Sequence, residues 1–558
     1  MPEAPAKPKL LDRALTTIEW LGNKLPDPIF LFLGATLLIM VLSAVGASMD
    51  WSVQPVKPQA AITVIDGVAT PTLDPSGKPV LELVPNGTPI GPRNLITSDG
   101  IYWLVANMVR NFINFAPLGV VLVSMFGIGL AEKVGLFGAA MRYFAAIVPG
   151  KALTPMIVFL GVMSNTASDA GYIILPPLAA ALYLALGRPP LAGIAAAFAG
   201  VAGGFSANLL IASTDALVAP LTERGARVLD ANYTVLPTCN WYFLAGSTFL
   251  VTLMGWFVTA KIVEPRLVKL GGFDVSAAES QSLSDLERKG LRWALGAIAV
   301  AAVIITASIA IPGAPLSGNM PAPAPTFGPI PVDPPATPPT AAAQPRWSQA
   351  IVPYILIGFL LPGLAYGIAT GSIRKTTDVT KAFVHSMATM APIIAMAFFA
   401  AQFIECFRFS RLDAMLANAG GKALVAADLP KPLLLVAVVM LVMVINILMS
   451  SMSAKWTALA AILVPMLMMA GISPELTQAA YRVGDSVTNI VTPLNSYIIV
   501  ILAAVQRYRK DAGIGNLIAM MLPYSVVFFI VWTLFLLGWV ALELPLGPKA
   551  PLWYTPGQ

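Results

Sequence analysis

The chain has 558 residues, of which 57 % are hydrophobic and only 11 % are Asp, Glu, Lys or Arg. Soluble proteins carry about 25 % charged residues, so this chain cannot coat a water-facing surface; a soluble enzyme and a disordered scaffold are excluded, and its solvent is a bilayer. Two cysteines, one histidine (His385) and a net charge of +6 scattered through short loops exclude a disulfide framework, a thiolate or histidine metal centre and a nucleic-acid footprint.

Residues 1–28 are polar and basic (Lys7, Lys9, Arg13, Lys24) and form a cytoplasmic N-terminus. The apolar run from Ile29 to about Ala47 is long for a signal peptide and is read as a retained first helix. Residues 50–98 are turn-rich and lie outside; an amphipathic stretch from Ile101 to Phe115 leads into a span from Ala116 to about Leu130, and Met141 to Ile147 lies along the inner interface.

From about 153 to 186, two apolar runs flank the polar string SNTASDAG, Ser164 to Gly171, with Lys151 and Arg188 at the two ends. Each run is too short to cross about 30 Å of hydrocarbon. The segment is therefore a re-entrant hairpin, its polar tip buried in protein or in a wet cavity. A broken span at about 191–215 carries Gly203, Gly204, Ser206 and Asn208, and Trp241 to Val263 ends in the inside charges Lys261, Glu264, Arg266 and Lys269.

Residues 264–348 hold a charged inner loop, a connector span (Leu291 to Ile311) and an external Pro/Ala-rich segment without a core. Spans at Ile351–Ile368 and Met387–Phe403 follow, then an outer interfacial stretch, Arg408–Ala426. A second hairpin at about 433–470 is interrupted by SSMSAKW, Ser450 to Trp456, and a second broken span at about 476–505 carries RVGDSVTNIVTPLNS. A last span ends near Leu542, before a tail at 543–558 that lies outside. The expected fold class is an all-α polytopic membrane protein with about nine transmembrane helices and two re-entrant hairpins.

The two parts, 29–263 and 349–542, repeat one order: span, span, interfacial stretch, hairpin, broken span, span. FAPLG (115–119) corresponds to MAPII (390–394), SNTAS (164–168) to SAKWT (453–457), and GGFSAN (203–208) to GDSVTN (484–489). The connector span makes the second repeat start on the opposite side, so the repeats are inverted. Inverted repeats with paired interrupted segments point to a secondary transporter with a midplane site. Close packing by small residues is the ordinary alternative.

Ionisable residues inside the apolar segments are Asp169, Lys455, Arg482 and Asp485. Each costs roughly 2.5–3.5 kcal/mol at a helix centre. Arg482 and Asp485, three apart on a helix, are expected to neutralise each other, and exchange of that pairing is expected to move a proton on Asp485. Ser164, Asn165 and Thr166 form one candidate cradle, and Ser453 with Thr457 the other; Asn208 and Asn489 supply amides from the broken spans, and Asn446 lies seven residues before Ser453. Singly, each Ser or Thr more often bonds back to its own helix. Trp456 either stacks on an aromatic substrate or packs, and Pro474 and Pro493 start or break helices.

At SNTASDAGY, SAKW, RVGDSVTN and TPLN the chain resembles the p-aminobenzoyl-glutamate transporter (AbgT) family over nearly its whole length. That resemblance implies a homodimer in the bacterial inner membrane, each protomer with its own route; the basic N-terminus and the order of spans put the N-terminus in the cytoplasm and the C-terminus in the periplasm. It implies uptake of p-aminobenzoyl-glutamate and proton-driven export of sulfonamides and p-aminobenzoic acid. It carries functional roles to Asp169, Ser453, Trp456, Pro474, Arg482, Asp485 and Pro493, with proton coupling at Asp485 and Asp169 and a Na⁺ site near Asn446 and Asp485. No cofactor is expected beyond a coupling ion, H⁺ or Na⁺; the partners are an anionic or aromatic small molecule and the lipid bilayer, with no nucleic acid. The alternatives are a Na⁺-coupled di- or tricarboxylate importer and, in another class, an intramembrane aspartyl protease using Asp169 and Asp485.

Overall fold

A computed structural model describes residues 28–65, 68–72, 80–147, 149–165, 170–270, 283–320, 344–449, 451–495 and 497–556. The segment read as the first repeat contains α1 (Pro28–Ser48), α2 (Ser98–Ile113), α3 (Ala116–Lys133), α4 (Leu136–Ile147), α5 (Leu153–Ser164), α6 (Ala170–Ala185), α7 (Pro190–Phe198, continued by a π-helical turn Ala199–Gly203), α8 (Ser213–Ala226) and α9 (Trp241–Val258). The short α10 (Glu264–Leu270) and the connector α11 (Asp285–Ala310) precede the segment read as the second repeat. That segment contains α12 (Ile351–Thr370), α13 (Thr376–Phe409), α14 (Leu412–Ala426), α15 (Lys431–Leu448), α16 (Met452–Met469), α17 (Pro474–Thr488), α18 (Ile498–Gln506) and α19 (Ile514–Ala541).

Among the described residues seven helices are long and apolar enough to cross a bilayer, or eight if Leu122–Lys133 and Leu136–Tyr143, bent by 61°, form one span. The connector α11 is the most lipid-exposed of them: Leu295, Val300, Val303 and Ile304 each keep more than half of their surface uncovered. In a bilayer this costs nothing, because lipid tails are as apolar as the side chains.

Both hairpins pack their first arm against a broken span through glycine. A Cβ on Gly161 of α5 would lie 2.8 Å from Cα of Gly200 in the π turn, and one on Gly484 of α17 would lie 2.5 Å from the Val439 carbonyl oxygen of α15. Only hydrogen fits at either place, so backbone touches backbone at the core of each repeat. The base of the first hairpin is fixed by Arg188, whose Nε and Nη2 donate to the two carboxylate oxygens of Glu264, both at 2.7 Å. This bidentate pair ties the hairpin to Glu264, where α10 follows α9.

The structure narrows several expectations. The second hairpin breaks only around Met449, which is extended, and Ser451, the N-cap of α16 whose hydroxyl accepts from Ala454 N. Ser453 to Trp456 are thus in the first turns of a helix and not in a loop. The second broken span starts earlier than expected, at Pro474, and its gap falls between Thr488 and Ile498. The connector helix begins at Asp285, capped by Ser284 with Glu287. Span Met387–Phe403 is the middle of one 34-residue helix. Among the described residues three two-stranded ladders pair Val56–Ala60 with Leu81–Pro85, Ile62–Ile65 with Val68–Pro71, and Asn319–Met320 with Gln344–Pro345. The all-α reading therefore holds for the membrane part, while the segments at 56–85 and 319–345 carry short antiparallel strands.

Candidate functional site

The two interrupted segments touch. Ser206, in the gap between α7 and α8, donates its backbone N–H to the Ser486 hydroxyl of α17 at 3.1 Å. The two residues come from the motifs that correspond in the sequence, GGFSAN and GDSVTN. Around this contact the repeats exchange charge. Arg482 of α17 is fully buried and its Nη2 lies 2.5 Å from Asp215 Oδ1, in the first turn of α8. The other oxygen, Asp215 Oδ2, accepts from Ala212 N at 2.6 Å, so one carboxylate both starts its own helix and holds the guanidinium. Nε and Nη1 of Arg482 are buried and meet no acceptor among the described residues.

The expected Arg482–Asp485 pair is not formed. Asp485 instead pairs with Lys455 of α16, Nζ to Oδ1 at 2.5 Å, both side chains 0 % exposed. Three-residue spacing puts Arg482 and Asp485 near one face, yet a long guanidinium reaches across to the other repeat, and the hairpin supplies a nearer cation to Asp485. Asn446 completes the cluster. Its Nδ2 donates to the Asp485 carbonyl at 2.7 Å, Thr488 Oγ1 at 2.8 Å and Asn489 Oδ1 at 2.9 Å. Its Oδ1 accepts from Lys455. The place expected for Na⁺, between Asn446 and Asp485, is thus held by an ammonium.

Trp456 is fully buried and stacks on Tyr481, with ring centroids 4.3 Å apart and planes at 27°. Its Nε1 donates to Thr222 of α8 at 2.9 Å, and Thr222 donates to Gln478 at 2.6 Å. Tyr481 in turn donates to the Met452 carbonyl at 2.7 Å. In this conformation Trp456 spends its ring on packing against Tyr481, the residue before Arg482 on α17.

The remaining predicted residues divide. Asn489 donates to Asp485 Oδ2 at 3.4 Å and belongs to the cluster. Ser453 lies one helical turn ahead of Thr457, whose hydroxyl donates to the Ser453 carbonyl at 2.6 Å, while its own hydroxyl meets that of Ser451. Pro474 is the first residue of α17, after the Ser473 cap, and Pro493 lies in the gap after that helix; both shape the break without entering the charged cluster. Asn165 donates to Val201 O at 2.9 Å and Gly204 O at 3.4 Å, serving carbonyls that the π turn frees. Asp169, with Thr166, lies outside the described residues.

Sequence reasoning missed Asp215, Thr222 and Gln478. The signal for Asp215 was present: the acid that ends ASTD, three residues after Ala212, a helix-start pattern inside a broken span. Lys455 stands out in the sequence as a cation in an apolar segment, but its partner Asp485 is thirty residues away.

The sequence profile of the AbgT transporter family matches residues 13–554. The p-aminobenzoyl-glutamate transport protein of Escherichia coli K12 is 34 % identical over 532 residues, 95 % of each chain. Two solved structures share the fold with a TM-score of 0.79. One is the Alcanivorax borkumensis YdaH transporter, described as having an unusual topology, at 36 % identity over 94 % of this chain and 100 % of that one. The other is Neisseria gonorrhoeae MtrF, described as illuminating a class of antimetabolite efflux pumps, at 39 % identity over 97 % and 100 %. These relatives are transporters, and with Asp485 committed to Lys455 the aspartyl-protease reading is set aside.

Proposed function

Because the chain belongs to the AbgT transporter family, and is a multi-pass membrane transporter and not an enzyme, we propose that it moves p-aminobenzoyl-glutamate and related folate-pathway compounds by secondary active transport, including proton-driven efflux of sulfonamides and p-aminobenzoic acid. The observation that carries this reading is Arg482: a buried guanidinium, half engaged by Asp215, with Nε and Nη1 left over, on the residue that follows Tyr481 of the stacked Trp456–Tyr481 pair. Such an edge suits a carboxylate or sulfonyl group, and the rings suit an aminophenyl group.

Opening the contact between the repeats lets the cargo's anionic end take the donors of Arg482 while its ring replaces one partner of the stack. When the second hairpin moves, Lys455 leaves Asp485, and a buried carboxylate without a cation takes up a proton in its place. Return of the ammonium expels that proton. The coupling residue is therefore Asp485, with Lys455 as the group it exchanges for a proton. The basic inner residues Lys261, Arg266 and Lys269 favour a cytoplasmic N-terminus and periplasmic C-terminus in the inner membrane, and we take the working unit to be a homodimer with one route per protomer.

The test is flux of labelled p-aminobenzoyl-glutamate and a labelled sulfonamide in proteoliposomes under an imposed pH gradient. Wild type is expected to carry both, and Asp485→Asn to lose the gradient dependence. Equal flux in Asp485→Asn would remove that residue from the mechanism, and no flux of either label would remove the substrate assignment.

A further inference from the structure

We propose that Lys455 is a tethered cation that fills the site where a Na⁺ would bind, so that this protein works without Na⁺ at that position. The proposal rests on the site described above but not on which cargo it carries. Two oxygens converge on the Lys455 ammonium: Asp485 Oδ1 at 2.5 Å and Asn446 Oδ1. The Asn446 amide cannot be turned over, because its nitrogen already faces the Asp485 carbonyl, Thr488 Oγ1 and Asn489 Oδ1. Its oxygen is therefore aimed at whatever cation occupies this place.

A carboxylate and amide oxygens are the donors a small hard cation uses in broken membrane helices. Here they are saturated by a side chain that is fully buried. A second cation beside it would put two positive charges in one buried pocket holding a single carboxylate, a repulsion that low dielectric enlarges. The placement is otherwise unfavourable, since Lys455 sits in the first turn of α16, where the helix dipole repels a cation. Its presence there is explained by Asp485, and its covalent attachment makes its binding intramolecular, so a free Na⁺ must displace a cation that cannot diffuse away.

Two measurements on the purified full-length protein test this. Binding of ²²Na⁺ and thermal melting are followed in NaCl against choline chloride at equal ionic strength. Wild type is expected to show no saturable Na⁺ binding and no Na⁺-specific melting shift. Lys455→Met keeps the stem but removes the ammonium, and is expected to gain saturable binding and a Na⁺-specific rise in melting temperature; Lys455→Gln carries the same expectation should the Met variant not fold. Adding Asp485→Asn to either should abolish the gain. Saturable Na⁺ binding by wild type that Asp485→Asn removes would overturn the proposal even if neither lysine variant folds, as would a folded Lys455→Met protein indifferent to Na⁺. Neither readout depends on transport, so failure of the substrate assignment would leave this result unaffected.

Discussion

Arg482 of the second repeat and Asp215 of the first form a buried ion pair, 2.5 Å apart, that joins the two halves at their interrupted segments. Removing one member of such a pair strands the other charge and costs about 3–5 kcal/mol. Asp215→Leu is expected to lower the melting temperature sharply and abolish transport. The double variant Asp215→Leu/Arg482→Met, which removes both charges, should recover most of the stability and none of the transport. Melting curves and proteoliposome flux measured on the same preparations check both halves of this expectation.

Trp456 offers a graded test. Trp456→Phe keeps a ring on Tyr481 but loses the bond to Thr222, worth about 1 kcal/mol; it should fold with a modestly weakened affinity for the aromatic cargo. Trp456→Ala opens a cavity at a cost of about 3–5 kcal/mol and should lose cargo binding altogether. Binding titrations of the two variants, compared with their melting temperatures, separate the ring's role in recognition from its role in packing.

The glycines that seat the hairpins should tolerate no side chain. In Gly484→Ala the new methyl meets the Val439 carbonyl at 2.5 Å, and in Gly161→Ala it meets Gly200 at 2.8 Å. Overpacking of this kind costs about 1–3 kcal/mol, and it displaces the arm that carries Asn446 or Asn165. Flux at least tenfold below wild type is expected in each, with a smaller loss of stability than Asp215→Leu causes.

Outside the spans, Asp413 is buried in the first turn of the interfacial helix α14, where burial pushes its carboxyl up to about 6, although it accepts a bond from Ala414 N at 2.7 Å. In the unfolded chain an Asp titrates near 4. Between about pH 4 and 6 the folded protein thus holds a proton that the unfolded chain has lost, and stability must rise as pH falls from 7 towards 5. Asp413→Asn should flatten that rise and be the more stable protein at pH 7.5. Melting temperatures recorded across this range test the sign.

The sequence showed apolar lengths, the polar interruptions and their repetition, because hydrocarbon thickness and backbone satisfaction leave few ways to arrange them. It did not show which charges meet. Periodicity relates residues on one helix, so it offered Arg482 to Asp485; the real partners, Asp215 and Lys455, come from a different repeat and from a hairpin arm, and only packing brings them near. Asn165 and Asn446 were both legible as polar groups in odd places. Their tasks differ, however: one serves carbonyls freed by a π turn, and the other orients an oxygen at a cation. The strands at 56–60 and 81–85 were hidden by the prolines and turn residues around them.

The most direct test of where cargo passes uses the Ser206–Ser486 contact. The Ser206 backbone N–H and the Ser486 hydroxyl, 3.1 Å apart, set these two residues side by side, so a covalent link between positions 206 and 486 would lock the two segments together. With the buried thiols Cys239 and Cys406 replaced by Ala, Ser206→Cys/Ser486→Cys should cross-link on oxidation. Flux of p-aminobenzoyl-glutamate is expected to fall to the background of empty liposomes and to return on reduction. Undiminished flux through fully cross-linked protein would show that cargo takes another path.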